Sequence, residues 1–526
     1  MTERRKIARA AGLMSIATFI SRILGYGRDM VLAFYFGATG VSDTFFVAFR
    51  IPNLLRELFA EGSMTAAVIP VLTEYQNTKG FEESKRLLRV AFTFVLIAAG
   101  AITVLGIVFA PAIVSVIAPG FVKSPEKFST AVLLTRIMFP FLLFISLAAL
   151  LMGGLNTRRI FFIPALAPAM LNITIIGTVF ILASRIAEPV VAVAWGVLLG
   201  GVVQFAFQVP SALKEGYSLR PDYDFRHQGL KKIGRLVAPA TLGMAANQVN
   251  VLISSILASF LAGGSITYLF YSMHLIQFPV GIFGVAMGMA VLPSLSGHAL
   301  AGDTERLRED FSFSLRLLFF LTVPAMAGLI ALREPIISTL FQRGRFDYAA
   351  TKGTADALLF YSLGIWSMVG VRVVAATFYS MQDTKTPARV AVAALTANIV
   401  LSLLLMGPMS YKGLALANAA ASMLNFSLLF YFLRKKLRRL GSRKILNSFL
   451  KVSLSSAVMA VSVWLLLRGG LWAQTGMAAK KAAYLGGAIT LSIGVYFIIN
   501  LLLKSEEAEF VVGMIRGRLK GRSHEG

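Results

Sequence analysis

Long apolar segments recur along almost the whole chain, and they decide which folds are open to it. A helix needs about twenty apolar residues to cross a hydrocarbon core of about 30 Å. Hydrophobic residues make up 57% of the chain and charged residues only 14%, with a mean hydropathy of +0.74. We therefore exclude a soluble core and predict an all-α polytopic membrane protein. The pattern predicts about fourteen transmembrane helices, at 10–37, 43–73, 87–117, 129–155, 160–184, 189–212, 233–262, 265–297, 312–332, 354–381, 387–407, 413–433, 449–468 and 482–503.

The basic residues are spread unevenly over the loops between these segments. The chain has 51 Lys and Arg against 25 Asp and Glu, a net charge of +26. With the N-terminus inside, most of these cations fall in inside loops, as the positive-inside rule requires. Both termini are thus predicted to be cytoplasmic, the first segment to be a retained span, and nucleic acid to be no partner. The basic stretch RKKLRRLGSRKILN is predicted to meet anionic membrane lipids.

The second segment, from Asp43 to Pro70, carries charges that an ordinary span does not tolerate. Charges at mid-membrane are costly, so they should face a wet or protein-lined cavity and mark a pathway. Arg56 lies on a neighbouring face of this segment. Four other charges form one stripe at helical spacing, namely Asp43, Arg50, Glu57 and Glu61.

The first segment repeats this anomaly in the motif RILGYGRD. It places Arg22, Arg28 and Asp29 in an apolar stretch, where Gly25 and Gly27 are predicted to unwind the helix locally. Two adjacent spans therefore carry four arginines. We interpret them as the lining of a site for an anion.

The chain also contains an internal repeat. Residues Thr44–Pro70 align without gaps to Thr267–Pro293, and later matches around Thr157 and Thr384 keep nearly the same spacing. A period this long indicates a duplicated bundle, and six spans per half predict a pseudo-two-fold axis along the membrane normal. The predicted domains are a first six-helix lobe with the charged cavity (1–213), a cytoplasmic linker (214–232), a second six-helix lobe (233–437), and two extra helices with a cytoplasmic tail (438–526).

Motifs for catalysis do not occur in the sequence. There is no GxxxxGK[ST] phosphate loop, the four histidines are scattered without an HExxH motif, and no cysteine is present. We therefore predict no catalytic residues, no metal site, no cofactor and no enzyme activity.

Several motifs resemble the MurJ/MviN lipid II flippases of the multidrug/oligosaccharidyl-lipid/polysaccharide exporter superfamily. They are RILGYGRD, DTFFVAFRIPNLLRELFAEGS, APGF, the LNT turn, QFPVGIFGVA, LPSLS and FYSMQDTKTP, and the likeness extends over residues 8–505. The resemblance implies a V-shaped pair of six-helix lobes followed by two extra helices. It also implies transport of lipid II, an undecaprenyl diphosphate carrying a disaccharide-pentapeptide, across the bacterial cytoplasmic membrane for peptidoglycan synthesis, and it leaves room for contacts with cell-wall synthesis proteins.

The resemblance carries over to particular residues. Those matching cavity positions of the family are Arg22, Arg28, Asp43, Arg56 and Glu61, and those matching its other polar positions are Asp29 and Arg50. The eighth span departs from the family, because His274 and Gln277 stand where a basic and an acidic residue are frequent. These two are therefore conditional site residues. Acids in the second-lobe spans lie only near span ends, which gives sodium coupling weak support.

Sequence and resemblance together lead to one mechanistic hypothesis. The arginines Arg22, Arg28, Arg50 and Arg56 bind the diphosphate, while Asp29, Asp43, Glu57 and Glu61 hold them when the site is empty. Three alternatives stay open. In the first, Arg50 with Glu57, or Arg22 with Asp29, form static pairs and bind no substrate. In the second, the chain exports another lipid-linked oligosaccharide. In the third, it is a non-transporting scaffold for cell-wall assembly.

Overall fold

The computed structural model describes residues 3–57 and 64–522, and within these ranges the chain is helical and contains no strand. Among the described residues, eleven helices are long and apolar enough to cross a membrane. Each of the eleven coincides with one of the spans expected from the sequence. The prediction of an all-α, multi-pass membrane protein is thus confirmed.

The other three expected spans form helices of a different kind. The first of them, α1 (Glu3–Phe36), is long but carries charges along its length. Of residues 43–73, the described ones lie in α2 (Gly40–Leu55), in the π-helical residues Arg56 and Glu57 that follow it, and in α3 (Met64–Thr78). Residues 233–262 overlap the helix Gln228–Ala258, whose apolar part is Gln248–Ala258. The total of fourteen spans stays a prediction.

The chain divides into two compact units, Met1–Ile266 and Thr267–Gly526. Unit 1 contains α1 to α3 and seven further helices. These are α4 (Phe81–Val108), α5 (Ala110–Ile117), α6 (Pro125–Met138), α7 (Phe141–Thr157), α8 (Phe162–Leu182), α9 (Val190–Lys214) and α10 (Gln228–Ala258). The sequence assigns α10 to the second lobe, whereas its contacts with α3, α4 and α5 group it with unit 1. The division into lobes stays a prediction.

Close helix packing around α8 builds the scaffold of unit 1. Helix α8 packs against α1 on one side and α9 on another. Small residues make the second contact possible, because a Cβ on Gly200 would lie 2.5 Å from Leu171 Cδ1, and one on Gly196 would lie 3.0 Å from Ile175 Cα. Glycines at such spacing let two membrane helices approach backbone to backbone. The position of α1, which carries three of the predicted site residues, therefore depends on α8.

Unit 2 repeats the helix order of unit 1. Its helices are α11 (Ser265–Pro279), α12 (Ala286–Leu300), α13 (Thr304–Ala331), α14 (Arg333–Phe341), α15 (Tyr348–Ser362), α16 (Ile365–Ser380), α17 (Lys385–Met409), α18 (Tyr411–Leu437), α19 (Ser442–Leu466), α20 (Ala478–Leu502) and α21 (Glu506–Arg522). Helices α4 and α13 both have 28 residues, and each is followed by a short helix, α5 or α14. The pairs α8–α9 and α17–α18 each pack together. This recurrence supports a duplicated bundle.

The two units also share an irregular helix at the same place in their order. In unit 2 a π-helical segment, Val280–Val285, joins α11 to α12. In unit 1 the chain turns π-helical at Arg56 and Glu57, directly after α2. Single π-helical turns are rare and are frequent at functional sites. In unit 1 this turn coincides with two of the predicted site residues.

Helices α19 and α20 belong to unit 2. Helix α19 packs on α13, and α20 packs on α14. A buried apolar cluster, which includes Val463, Trp472 and Leu485, joins the two helices near their connecting segment. Arg316 of α13 binds Glu506 at 2.7 Å and Glu507 at 2.8 Å, and so holds α21.

The turn between α16 and α17 contains a carboxylate with a strong preference for its charged form. Lys436 Nζ donates to Asp383 at 2.8 Å, and the backbone N–H of Thr386 donates at 3.0 Å. The hydrogen bond from Lys436, followed by that from Thr386, lowers the pKa of Asp383 from 3.8 to about 2. Since the folded pKa is the lower one, the contribution to stability is complete above about pH 4 and is lost as the pH falls towards 2.

We therefore expect Asp383→Asn to lower the thermal unfolding midpoint of the purified protein at pH 6, where wild-type Asp383 is charged. The difference between wild type and variant should shrink as the pH approaches 2, because wild-type Asp383 then becomes neutral as well. Thermal unfolding at pH 6, 4 and 2.5 measures it. A difference of equal size at every pH would show that the charge of Asp383 contributes nothing.

Candidate functional site

Helix α1 stays regular through the motif that carries its charges. The prediction that Gly25 and Gly27 unwind it is wrong, because both lie inside the continuous helix Glu3–Phe36. The two glycines instead lie against α8, where added Cβ atoms would be 3.7 Å from Asn172 Nδ2 and 3.9 Å from Ile176 Cδ1. They bring the backbone of α1 close to α8, and the charged residues next to them meet α8 side chains.

Arg28 and Asp29 form a buried ion pair on α1. Arg28 donates to Asp29 Oδ1 from Nε at 3.0 Å and from Nη2 at 2.7 Å. The Asp29 side chain is 1% exposed and that of Arg28 is 13% exposed. A guanidinium has five N–H donors, so further donors remain beyond these two bonds. The pair combines a neutralised charge with donors available to an anion.

Asn172 of α8 connects this pair to the neighbouring helix. Its Oδ1 accepts from Arg28 Nη1 at 3.3 Å, and its Nδ2 donates to the Ser21 carbonyl oxygen at 3.2 Å. One amide therefore binds both the Arg28 guanidinium and the backbone of α1. Asn172 orients Arg28 from outside its own helix.

A second polar cluster lies where α2 ends. Arg56 donates to Asn53 Oδ1 from Nε at 3.1 Å and from Nη2 at 2.9 Å, and Asn53 Nδ2 donates to Glu57 Oε1 at 2.9 Å. Arg56 Nη2 lies 4.0 Å from Glu57 Oε1. Gln248 of α10 donates to the other oxygen of Glu57. The Arg56 guanidinium thus donates to a neutral amide, while its neighbouring carboxylate is bound by α10.

Asp43 lies at the opposite end of α2 from this cluster. Its side chain is buried, and its Oδ2 accepts from the backbone N–H of Gly264 at 2.6 Å. From Asp43 to Leu55, α2 rises about 18 Å at 1.5 Å per residue. Asp43 therefore fixes the loop after α10 and is far along the helix from Arg56.

The remaining predicted residues occupy varied positions. Arg22 is exposed on α1 and Arg50 is half-buried on α2. On α11, His274 is half-buried with its ring centroid 5.8 Å from that of Phe270, and Gln277 is exposed. Glu61 lies outside the described residues. The structure thus brings Arg28 to Asp29 and Arg56 to Glu57.

Two residues that orient these charges were not predicted, Asn172 and Gln248. Asn172 lies in an apolar helix and Gln248 begins the apolar part of α10. A polar side chain at membrane depth is itself a signal of function. Both side chains are uncharged, so the pattern of charged residues in the spans did not indicate them. Among the described residues, no group of three His, Asp or Glu side chains is placed to hold a metal ion.

We expect Asn172→Leu to reduce transport roughly tenfold while the protein still folds and inserts. The change removes two hydrogen bonds of about 1 kcal/mol each and leaves the Arg28 guanidinium without its partner on α8. Initial transport rates in proteoliposomes measure the effect. The matched control is Thr174→Val on the same helix, whose hydroxyl bonds only its own helix at Met170 O. Equal rates for the two variants would contradict a positioning role for Asn172.

The fold is that of a known class of transporters. A solved structure titled as the inward-facing conformation of a multidrug resistance MATE family transporter of the MOP superfamily aligns with a TM-score of 0.67 at 15% identity, covering 82% of this chain and 99% of that one. At this identity the likeness concerns the fold alone. This fold, with eleven helices among the described residues that are able to cross a membrane, defines a class of multi-pass membrane proteins.

A family model and relatives of higher sequence identity show which family within this class the chain belongs to. The family model described as "Lipid II flippase MurJ" matches residues 32–484. A Vibrio cholerae protein named "Probable lipid II flippase MurJ" is 35% identical over 511 residues, covering 96% of this chain and 97% of that protein. The "Lipid II flippase MurJ" of Burkholderia cenocepacia is 34% identical over 497 residues, covering 93% and 96%. The solved structure "Lipid II flippase MurJ, inward closed conformation" has a TM-score of 0.77 at 28% identity, covering 93% and 98%. The chain belongs to the MurJ family of lipid II flippases.

Proposed function

We propose that this protein flips lipid II from the inner to the outer leaflet of the bacterial cytoplasmic membrane for peptidoglycan synthesis. Membership of the MurJ family supports the substrate. The observation that carries the mechanism is the Arg28 guanidinium, which is clamped by Asp29 and Asn172 inside a membrane helix bundle. An arginine at that depth needs a partner, and a lipid-linked diphosphate is the anion that such a transporter carries.

The arginines are proposed to bind the diphosphate. Guanidinium groups match phosphate oxygens in pairs of charge-assisted hydrogen bonds. Arg28 and Arg56 are proposed as the central ligands, because each guanidinium is oriented by an amide, Asn172 for Arg28 and Asn53 for Arg56. Arg22, exposed on the same helix as Arg28, and Arg50, on the same helix as the Arg56 cluster, complete the set.

The carboxylates are proposed to act as internal substitutes for phosphate. Asp29 forms a salt bridge with the Arg28 guanidinium in the structure, and Glu57 lies beside Arg56. When lipid II enters, phosphate oxygens replace the carboxylate oxygens on the arginines. A buried arginine with neither partner would be costly, so occupancy of the site is coupled to conformation. Asp43 and Glu61 belong to this proposal as predicted from the sequence, and His274 and Gln277 stay conditional contributors.

Transport is proposed to follow alternating access, in which the site opens to one side of the membrane at a time. This proposal keeps the predicted architecture of about fourteen spans in two six-helix lobes related by a pseudo-two-fold axis, with two extra helices. Both termini are placed in the cytoplasm by the positive-inside rule. The protein is proposed to act without catalysis, driven by an ion gradient, the membrane potential or removal of product outside.

Two further kinds of partner are proposed. The last turn of α18 holds Arg434, Lys435 and Lys436. Cations immediately inside a membrane helix attract anionic lipid headgroups. Cell-wall synthesis proteins, which consume lipid II on the outer side, are the other expected neighbours.

Binding of the purified protein to a set of lipids tests this function. We expect lipid II to bind at least tenfold more tightly than undecaprenyl phosphate, because the second phosphate adds charge-assisted hydrogen bonds of about 1.5–3 kcal/mol. Binding of other lipid-linked sugars measures how much the headgroup of lipid II contributes to the affinity. Equal binding of all polyprenyl lipids, or of none, would contradict the assignment.

A further inference from the structure

The segment between α9 and α10 carries two exposed aromatic side chains that take no part in the arginine site. Tyr223 is 68% exposed and Phe225 is 39% exposed. Their ring centroids lie 6.2 Å apart, and the ring centroid of Phe225 lies 6.0 Å from that of Phe94 on α4. These three residues form an exposed aromatic cluster on the side of α4. An exposed apolar cluster marks a surface at which a protein meets a partner or a membrane.

The exposed side of α4 shows what surrounds Phe94. Every exposed residue of α4 after Arg89 is apolar, and Phe94, Ile97, Leu105 and Val108 lie on this side of the helix. Helix α4 is also one of the helices that are long and apolar enough to cross a membrane. An exposed and entirely apolar side of such a helix faces lipid. The aromatic cluster therefore continues a lipid-facing surface at the end of α4 that faces the cytoplasm on the proposed orientation.

The charges of α4 indicate how deep the aromatic cluster lies. Arg89 is the last charged residue of this helix, and its apolar run begins at Val90. Phe94 is five residues beyond Arg89, about 7.5 Å further along the helix. Each headgroup region is about 5–8 Å thick, since a hydrocarbon core of about 30 Å lies within a bilayer of about 40–45 Å. The rings of Phe94 and Phe225 thus lie where headgroups meet hydrocarbon, the depth at which aromatic side chains form belts around membrane proteins.

The acidic residues of the same segment are bound to α4. Arg86 Nη2 donates to Asp224 Oδ2 at 3.1 Å. Arg86 Nε and Arg89 Nη2 each lie 3.8 Å from Asp222 Oδ2. The backbone N–H of Asp222 donates to Thr93 Oγ1 at 2.9 Å, which fixes the segment beside the first turns of the apolar run. Both carboxylates are thus paired with arginines, so the aromatic side chains can enter the membrane surface without an unpaired acid beside them.

The charges that flank the aromatic side chains are positive. Arg220 and Arg226 lie before and after Tyr223 and Phe225 in the sequence, and both are exposed. Cations next to interfacial aromatic residues attract the phosphates of lipid headgroups. Exposed rings flanked by exposed arginines therefore match the chemistry of a phospholipid surface.

We propose that the aromatic cluster anchors the segment between α9 and α10 in the headgroup region of the cytoplasmic leaflet. The sequence predicts this segment as part of a cytoplasmic linker (214–232), and on the proposal its middle lies on the membrane surface. His227, directly after the segment, caps the N-terminus of α10. The anchor therefore sets the depth at which α10 begins. The inference is independent of lipid II transport, since none of the cluster residues belongs to the arginine site.

Fluorescence quenching by lipids tests this inference on the full-length protein in vesicles of phosphatidylcholine and phosphatidylglycerol. The chain has no cysteine, so Tyr223→Cys and Phe225→Cys each provide a single site for an NBD label. We expect phosphatidylcholine with a nitroxide at its headgroup, or at the top of its acyl chain, to quench both labels. This quenching should be at least threefold stronger than that by a nitroxide near the end of the acyl chain.

The matched control is Asn77→Cys, an exposed residue near the end of α3, before α4 begins. Lipid nitroxides should quench its label at least threefold less than the labels at Tyr223 and Phe225, and aqueous iodide should quench it at least threefold more. Two labelled positions keep the test readable if one substitution disturbs the fold, and monodisperse elution identifies the folded variants.

Two results would overturn the proposal. If iodide quenches the labels at Tyr223 and Phe225 as strongly as the label at Asn77, the segment is a solvated linker. If neither iodide nor any lipid nitroxide reaches the two labels, protein covers the rings, and the surface is one between copies of this chain.

Discussion

Arg28→Glu is expected to lower lipid II transport at least about 100-fold in proteoliposomes. The change removes a guanidinium that donates to Asp29 and Asn172 and places a carboxylate beside the buried Asp29. Losing two charge-assisted hydrogen bonds to phosphate costs about 3–6 kcal/mol, and a factor of ten corresponds to about 1.4 kcal/mol. Lipid II binding should fall with the rate, because Arg28 is proposed to contact the substrate itself.

Folding has to be separated from function in this experiment. Arg185→Glu makes the same exchange at an exposed residue after α8, and transport by this variant should equal that of wild type. Monodisperse elution and a normal unfolding midpoint show that the Arg28→Glu protein is folded. Undiminished transport by that folded protein would remove Arg28 from the site.

Asp29→Asn is expected to separate binding from transport. Asparagine keeps the shape of the side chain but not its charge, so phosphate no longer has to displace a carboxylate from Arg28. We expect lipid II binding to tighten by roughly tenfold, equivalent to about 1.4 kcal/mol, while transport falls at least tenfold because release is no longer assisted by Asp29. Isothermal binding and transport rates on the same preparation measure both.

The matched control for this prediction is Asp224→Asn, which removes a carboxylate paired with Arg86 outside the membrane-spanning helices. It should change neither quantity. If Asp29→Asn instead weakens binding and transport in parallel, Asp29 only supports the position of Arg28, and the exchange of carboxylate for phosphate is wrong.

The sequence predicted the helices better than the contacts between them. Apolar length alone located the spans, because a bilayer accepts few other patterns. The regular path of α1 through Gly25 and Gly27 was not predicted, since a glycine pair fits an unwound turn and a close helix contact equally well. Only the α8 side chains on the other side of the contact decide between them.

The partners of the charged residues could be predicted only in part, for a similar reason. Helical spacing indicates which residues share a face of one helix. It suggested Arg22 as the partner of Asp29, because the two are seven residues apart. The structure pairs Asp29 with its neighbour Arg28. Asn172 and Gln248 come from helices distant in sequence, and no spacing rule within one helix could connect them to Arg28 and Glu57.

Labelling of a single cysteine tests most directly whether the arginines line a water-accessible site for lipid II. The chain has no cysteine, so Ser21→Cys creates one thiol, seven residues from Arg28 and therefore on the same face of α1. We predict that a water-soluble maleimide labels it and that saturating lipid II slows labelling at least tenfold, whereas undecaprenyl phosphate protects less. Ser184→Cys, in an exposed position after α8, should be labelled equally with and without lipid. A Ser21→Cys thiol that stays unlabelled, or is labelled at the same rate with lipid II bound, would contradict the account.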